Sequence, residues 1–528
     1  MISTYLKKIS LASLMAIALT SCINDLDREP FYDVTANVVY KTPAGYKQAL
    51  AKVYGSFATT GNQGPAGQGD LGGIDEGTSD FLRLFWNAQQ LPTDESITAW
   101  NGDAGLQDFH LMNWSSDNPF LKGLYNRSYY QITVANEFIR ESTDQKLSSR
   151  GISGNDATEI KYQAAEARFL RAYQYWVLVD LFGNVPFVDE NSAIGADLPI
   201  QKDRIALFNY VESELKAVEG LLKDPRTNEY GRADKAAAWA LLARLYLNAE
   251  VYTGTAKYAE AAVYAKKVID AGYSLIPKYK NLFVADNNVA AKNEIILSIN
   301  YDGAKTQGYG GTTFLVNGSV GGAMDKTKSG TSAGWGGHRT TKNLPLQFPT
   351  PLNSPDTRAM FVENDGMEIN SIITFTQGYA SIKFKNLRAD GSDSPNMNLG
   401  FSDTDFPLFR LGEMYLIVAE VAVRAGNQSE ALAAVNTLRA RAYESSTAGK
   451  LTSINLQEVL NERSRELYWE GFRRTDLIRF NQFVEGSYLW PWKGGASAGA
   501  SVQDFRKLYP IPSSDVTANP NITQNKGY

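Results

Sequence analysis

Residues 236–270 read AAAWALLARLYLNAEVYTGTAKYAEAAVYAKKVID. Ala and Leu, the strongest helix formers, dominate Ala236 to Ala249 and predict a helix there. Thr253-Gly254 interrupts the pattern, and Tyr258 to Ala271 predicts a second helix stopped by Gly272. Small residues fall where the two helices would touch. The arrangement returns as Glu413 to Ala425, a break at Gly426-Asn427, and Gln428 to Arg441. These two helix pairs set the fold class as all-α.

Each pair is close to the ~34-residue helix-turn-helix period of tetratricopeptide repeats. Pairs of this length stack into a shallow solenoid with a concave or flat outer surface. Working outward, Asp156 to Phe182 carries an apolar stripe at Leu170, Tyr173, Val177 and Leu181, three and four residues apart. Asp156 and Glu159 resemble a capping box, and Gly183 and Pro186 mark the end. Pro43 to Phe57 and Asn118 to Arg140 predict two more helices. Glu458 to Phe480 reads EVLNERSRELYWEGFRRTDLIRF. Glu462, Arg463, Arg465 and Glu466 predict a salt-bridged helix ended by Gly471, with Phe472, Leu477 and Phe480 returning to the core.

Two stretches break this regularity. Gly303 to Gly337 contains eleven glycines, a density that an ordinary helix does not tolerate. It predicts a long irregular insertion over about 300–405, with short strands at Ile372–Thr376 and Ala380–Lys385. Tyr309, Phe314 and Trp335 argue that it is ordered and functional. The second stretch, Asp75 to Asp103, reads DEGTSDFLRLFWNAQQLPTDESITAWNGD. Pro92 and Thr93-Asp94-Glu95-Ser96 predict loop here rather than helix. Arg83, Trp86 and Trp100 stand among Asp75, Glu76, Asp80, Asp94, Asn87, Asn101 and Asp103. An aromatic face covers the C–H face of a pyranose, and short polar groups bond its hydroxyls. The other reading is a packing segment with buried tryptophans.

The N-terminus locates the chain. Lys7 and Lys8 precede a short apolar run, Ile9 to Leu19, which fits a signal peptide over 1–21 and is too short to span a membrane. Leu19-Thr20-Ser21-Cys22 resembles a lipobox, and Cys22 is the only cysteine. The expectation is acylation at Cys22 and anchoring by lipid, without a disulfide. The 52 Lys and Arg against 57 Asp and Glu give a net charge of −5, which offers nothing general to nucleic acid. The two His, His110 and His338, and one Cys argue against a Cys/His zinc site. A Ser-His-Asp triad has no GxSxG elbow to support it. Phosphate binding has no GxxxxGK[ST] loop.

The hallmark at Glu458–Phe480 resembles the C-terminal block of the SusD/RagB family. So do Tyr509-Pro510-Ile511-Pro512, Asn519-Pro520-Asn521 with the end Gln524 to Tyr528, and Phe406-Pro407-Leu408-Phe409-Arg410-Leu411-Gly412-Glu413. The resemblance covers essentially the whole chain. It implies one domain over 22–528, with tetratricopeptide-like pairs carrying a loop-rich ligand face. It implies an outer-membrane, surface-exposed lipoprotein that is not an enzyme, needs no cofactor, and sits over a SusC-like TonB-dependent transporter. By position, Trp100, Tyr309 and Trp335 match the aromatic arc of the family's starch-binding founder. Asp75, Arg83 and Asp103 match its polar contacts, the last with Asp for Asn. Thr98 stands where the founder has a further Trp, so Thr98→Trp is expected to strengthen binding. The founder's calcium has acidic candidates in Asp286 and Asp403-Thr404-Asp405, without EF-hand spacing.

The resemblance makes starch or malto-oligosaccharides the expected ligand. Two other classes stay open from the residues alone. A glycoside hydrolase would use two carboxylates, with Asp75 and Asp94 or Asp103 as the pair. A tetratricopeptide scaffold would bind only proteins and leaves the aromatic loops unexplained.

Overall fold

A computed structural model describes residues 36–528 apart from 62–63, 66–68, 194 and 196. Cys22 and the signal segment lie outside the described residues. In chain order the elements used below are helices α1 (Pro43–Gly55), α2 (Phe81–Gln90), α3 (Pro119–Glu141), α4 (Gly154–Leu181), α5 (Arg204–Glu219), α6 (Lys235–Leu247), α7 (Tyr258–Ile269), α8 (Gly311–Gly318), α9 (Leu411–Arg424), α10 (Gln428–Ala442), α11 (Leu456–Leu467) and α12 (Arg473–Arg479). The strands are β1 (Ile97–Thr98), β2 (Ile295–Ile299), β3 (His338–Arg339) and β4 (Phe406–Arg410).

The Ala-rich helix α6 starts at Asp234, whose carboxylate accepts from the backbone N–H of Ala236 at 2.8 Å and of Ala237 at 3.3 Å. Ala236, Ala237, Ala238, Ala240 and Ala243 are fully buried, which lets neighbouring helices pack closely. Helices α3 to α7 pack each against the next, α7 then packs on α9, and α9 packs on both α10 and α11. The result is the predicted mostly helical scaffold of stacked helix pairs. Arg244 of α6 ties the two pairs together. Its guanidinium bonds both oxygens of Glu413 on α9 at 2.7 Å and donates to the Leu408 carbonyl of β4 at 2.9 Å. Strands β2 and β4 pair antiparallel, Ile295 opposite Arg410.

Helix α4 is buried on every side from Phe169 to Phe182, apart from its polar ends, so the predicted stripe marks only part of its contact. Its helix begins after Ser153, and Asp156 lies inside the first turn instead of capping it. Gly183, at φ 73°, closes α4 by donating to Leu178 O. One continuous hydrophobic core runs from Tyr40 to Ile522.

Around α11 the core is ionic. Glu462 meets Arg358 at 2.7 Å, Arg439 at 2.8 Å and Arg465 at 2.6 Å. Glu466 meets Arg410 at 2.7 Å and Arg358 at 3.0 Å. Burial alone would raise the Glu462 carboxyl, but Arg358, Arg465 and Arg439 hold it down at about 2. The predicted salt-bridged helix is therefore present, with Glu462, Arg463, Arg465 and Glu466 all buried. It ends at Leu467, four residues before Gly471, where Tyr468 turns extended. Gly471 has a different role: at φ 82° it lies so close to Phe85 that a Cβ would fall 2.7 Å from that ring. Leu477 is core, whereas Phe472 and Phe480 are half-buried.

Three further expectations change. Residues 81–90 of the stretch read as loop form helix α2, because Asp80 caps it by accepting from Arg83 N at 3.0 Å. The glycine-rich insertion contains helix α8. Its start is fixed by the same Asp80, which accepts from Gly311 N at 2.8 Å. Gly310 permits this approach, since a Cβ there would lie 2.0 Å from Asp80 Cβ. Ile372–Thr376 is a series of turns, not a strand. The carbonyls of Ser371, Ile372 and Gln377 turn toward the Arg339 guanidinium instead of a neighbouring strand. Of Ala380–Lys385, only Ala380–Ser381 pairs, with Phe361–Val362.

Candidate glycan-binding groove

Two distant segments meet through β1 and β3. Ile97 pairs with Arg339 and Thr98 with His338, and Ala99 N donates to Gly337 O at 2.8 Å. This brings Trp100 to Trp335. The Trp100 indole N–H donates to the Trp335 carbonyl at 3.0 Å, and the ring centroids are 6.4 Å apart at 46°. Trp335 is itself fixed by α8, through its N–H to Asn317 O at 2.8 Å. Tyr309, on the loop entering α8, lies 6.2 Å from Trp335 at 70° and is 41% exposed. Trp100 and Trp335 are half-buried. The three rings follow one another, inclined by 46° and 70° from one to the next.

Beneath these rings is a second aromatic layer. His338 is fully buried, 4.6 Å from Trp100, 4.4 Å from Phe314 and 4.7 Å from Trp86. Burial, with Arg83 and Arg339 nearby, pushes its imidazole well below the usual histidine range, so it is a neutral spacer. Gly337 leaves room for the indole: a Cβ there would lie 2.4 Å from the Trp100 ring. The glycines of the insertion thus serve close packing at these rings.

Arg83, on α2, is 5% exposed. It donates to the Tyr309 carbonyl at 3.1 Å, faces Asp103 at 3.7 Å, and lies over the Phe314 ring at 4.9 Å and the Trp100 ring at 5.7 Å. One buried cation therefore holds both groove loops. Desolvation lowers its pKa, while Asp103, Asp80 and Asp75 oppose the shift. Asp75 is exposed, and its Oδ1 accepts from Thr78 N and Thr78 Oγ1, both at 2.8 Å. Asp75, Arg83, Trp100, Asp103, Tyr309 and Trp335 all line one open groove of about 660 Å³, together with Asn101 and Thr78.

The structure removes other candidates from the groove. Trp86 is fully buried and donates to Trp469 O at 3.2 Å. Asn87 is also fully buried, and Asp80 is 3% exposed. Asp94 is 1% exposed and holds Arg473 through both oxygens at 2.7 and 2.6 Å, so it cannot serve a hydrolase pair. His110 is buried and held down at about 3 by desolvation and Arg339, which makes it unsuited to act as a base. Thr98 is fully buried in β1, where its hydroxyl accepts from Trp100 N at 3.4 Å. The expected gain from Thr98→Trp is therefore corrected: an indole at this position meets packed protein, not the groove.

Of the calcium candidates, Asp286 accepts from Ala389 N at 2.8 Å, Asp403 from Gly303 N at 2.8 Å, and Asp405 from Tyr301 N at 2.8 Å. These carboxylates are engaged by backbone. Among the described residues no group of three or more His, Cys, Asp or Glu could hold a metal ion. Phe401 was not read from the sequence. Its ring lies 6.2 Å from Tyr309 at 39°, continuing the line of aromatics, and only its place in the insertion pointed to it.

The helical stack and the loop-borne groove define a protein of the SusD class, and comparison with known proteins agrees. Residues 353–528 match the SusD family, and residues 83–247 match a family described as starch-binding associating with outer membrane. The chain is 37% identical over 575 residues to the starch-binding protein SusD of Bacteroides thetaiotaomicron, covering 99% of both chains. It is 25% identical over 555 residues to SusD-like protein P2 of Formosa agariphila, covering 97% of this chain and 98% of the relative. The chain belongs to the SusD family. Its fold is shared with a SusD-like protein from Bacteroides fragilis, at a TM-score of 0.71 and 18% identity, covering 95% of this chain and all of that one. A laminarin-binding SusD-like protein superposes at 0.69 with 21% identity, covering 92% of this chain and 99% of that one. Among the described residues no helix is long and apolar enough to cross a membrane.

Proposed function

We propose that this chain captures starch or malto-oligosaccharides at the cell surface and passes them to a SusC-like TonB-dependent transporter in the outer membrane. In this reading residues 22–528 form one mature domain, anchored through acylated Cys22. The carrying observation is the succession Trp100, Trp335, Tyr309, with rings 6.4 and 6.2 Å apart. Successive tilts of 46° and 70° favour a ligand that bends, as a helical α-glucan does. Asp75, Asn101 and Asp103 supply hydroxyl partners at the edge. Similarity to a starch-binding relative supports the same ligand.

The mechanism is capture without bond cleavage. Sugar rings lie on the indole and phenol faces, which lose water, and the carboxylates read hydroxyls. Arg83 keeps the two loops in register and orients Asp103. The test titrates maltoheptaose against laminariheptaose and follows reducing ends. The reading expects saturable maltoheptaose binding, weaker laminariheptaose binding, and no new reducing ends. Preferred laminariheptaose binding would reassign the linkage, and new reducing ends would restore the hydrolase reading.

A further inference from the structure

A second concavity, of about 440 Å³, lies away from the groove residues. It is walled by Lys278 and Lys280, by residues 382–391, and by Thr357 and Met360. Its volume falls in the range of small-ligand pockets, roughly 300–1,000 Å³. Five cations line it (Lys278, Lys280, Lys383, Lys385 and Arg388) against one carboxylate, Glu444. That inverts the balance of an acidic chain with 57 Asp and Glu to 52 Lys and Arg.

Most of these cations are unspent. Lys383 is buried and satisfied, donating to Glu470 at 2.7 Å and to the Tyr468 carbonyl at 2.5 Å. Lys278, Lys280, Lys385 and Arg388 form no ion pair among the described residues. Asp390 stands beside Arg388, but it is fully exposed and bonds Ser392. Lys385 is half-buried, and desolvation together with Lys280 and Lys328 lowers its pKa, so like charges converge on it. Lys278, Lys280 and Arg388 reach solvent at the rim, so the unfavourable charge is that of half-buried Lys385, which an entering anion would offset. Val284, Met360, Ile382 and Leu387 supply apolar surface beside it.

We propose that this cleft binds a phosphate or sulfate monoester, with the anion between Lys280 and Lys385 and its organic part on the aliphatic surface. The ester could belong to a sugar or to a lipid headgroup. The inference is independent of the glucan reading, because no residue lining the cleft lines the groove.

Calorimetry with glucose 6-phosphate, and with glucose as the neutral control, tests the sugar source. Sedimentation of the Cys22→Ala chain with phosphatidylcholine vesicles, with and without phosphatidic acid, whose headgroup is a phosphate monoester, tests the lipid source. We expect saturable binding of one probe, at least tenfold tighter than its neutral control and weakened by salt. Lys280→Glu combined with Lys385→Glu should remove it while maltoheptaose binding persists. If that variant does not fold, Lys280→Gln with Lys385→Gln should weaken the same binding about tenfold. Neither probe binding above its neutral control, or binding unchanged in the folded variant, would overturn the proposal.

Discussion

Trp86 and Trp100 lie in one short stretch, and the fold uses them in opposite ways. Trp86, on α2, is fully buried against Trp469 and His338. Trp100, beyond β1, packs on the same histidine and keeps part of its ring in the groove. The charges divide likewise. Around α11, arginines and glutamates neutralise one another out of water, whereas Asp75 and Asp103 remain at the open edge. Aromatic and charged density therefore marks a ligand face only where the neighbouring layer leaves the groups unfilled.

The sharpest way to break this comparison is through the ionic core. Glu462→Gln leaves Arg358, Arg439 and Arg465 without their shared partner, and breaking buried pairs costs about 3–5 kcal/mol. The folded carboxyl is depressed to about 2 from an ordinary 4.5. Its contribution is complete above pH 4.5 and is lost as pH falls through about 2. Denaturant melts should show a large gap between wild type and variant at pH 7, closing between those pH values. A gap that does not change with pH would contradict the ionic account.

Trp86→Ala should cost about 3–5 kcal/mol through a core cavity. Folded molecules should keep glucan affinity within a few-fold. Thr98→Trp should cost about 1–3 kcal/mol by overpacking and give no gain in binding. Tighter maltoheptaose binding by a Thr98→Trp variant of normal stability would show that β1 can turn this side chain outward.

Much of the scaffold was legible. The pairs α6–α7 and α9–α10 follow from Ala/Leu runs separated by Thr-Gly and Gly-Asn breaks. Helix α2 does carry a stripe, with Arg83, Asn87 and Gln90 four and three residues apart against Phe81, Leu84, Phe85 and Ala88, but both faces are buried and the polar run after it favoured a loop. Its cap, Asp80, was visible but stood near Pro92, which favoured a loop reading. Helix α8 was hidden by glycines whose purpose is long-range: Gly310 admits Asp80 and Gly337 admits the Trp100 ring. Aromatic and polar density marked both groove stretches, 75–103 and the glycine-rich insertion, and resemblance singled out the six residues within them. Phe401 escaped because neither periodicity nor a local motif links it to Tyr309.

The central claim is that Trp100, Trp335 and Tyr309 bind ligand rather than hold the fold. Trp335→Ala measured by maltoheptaose titration and thermal melting of the same sample tests it most directly. Aromatic platforms for nucleic-acid bases contribute ~1–3 kcal/mol each, a scale used here for sugar rings. Affinity should therefore fall roughly tenfold or more, at ~1.4 kcal/mol per decade. Trp335 is half-buried against Trp100 and Tyr309, so stability should fall by less than the ~3–5 kcal/mol that truncating a core tryptophan costs. A variant that loses several kcal/mol of stability yet binds maltoheptaose with full affinity when folded would place Trp335 with Trp86 in the core and contradict the account.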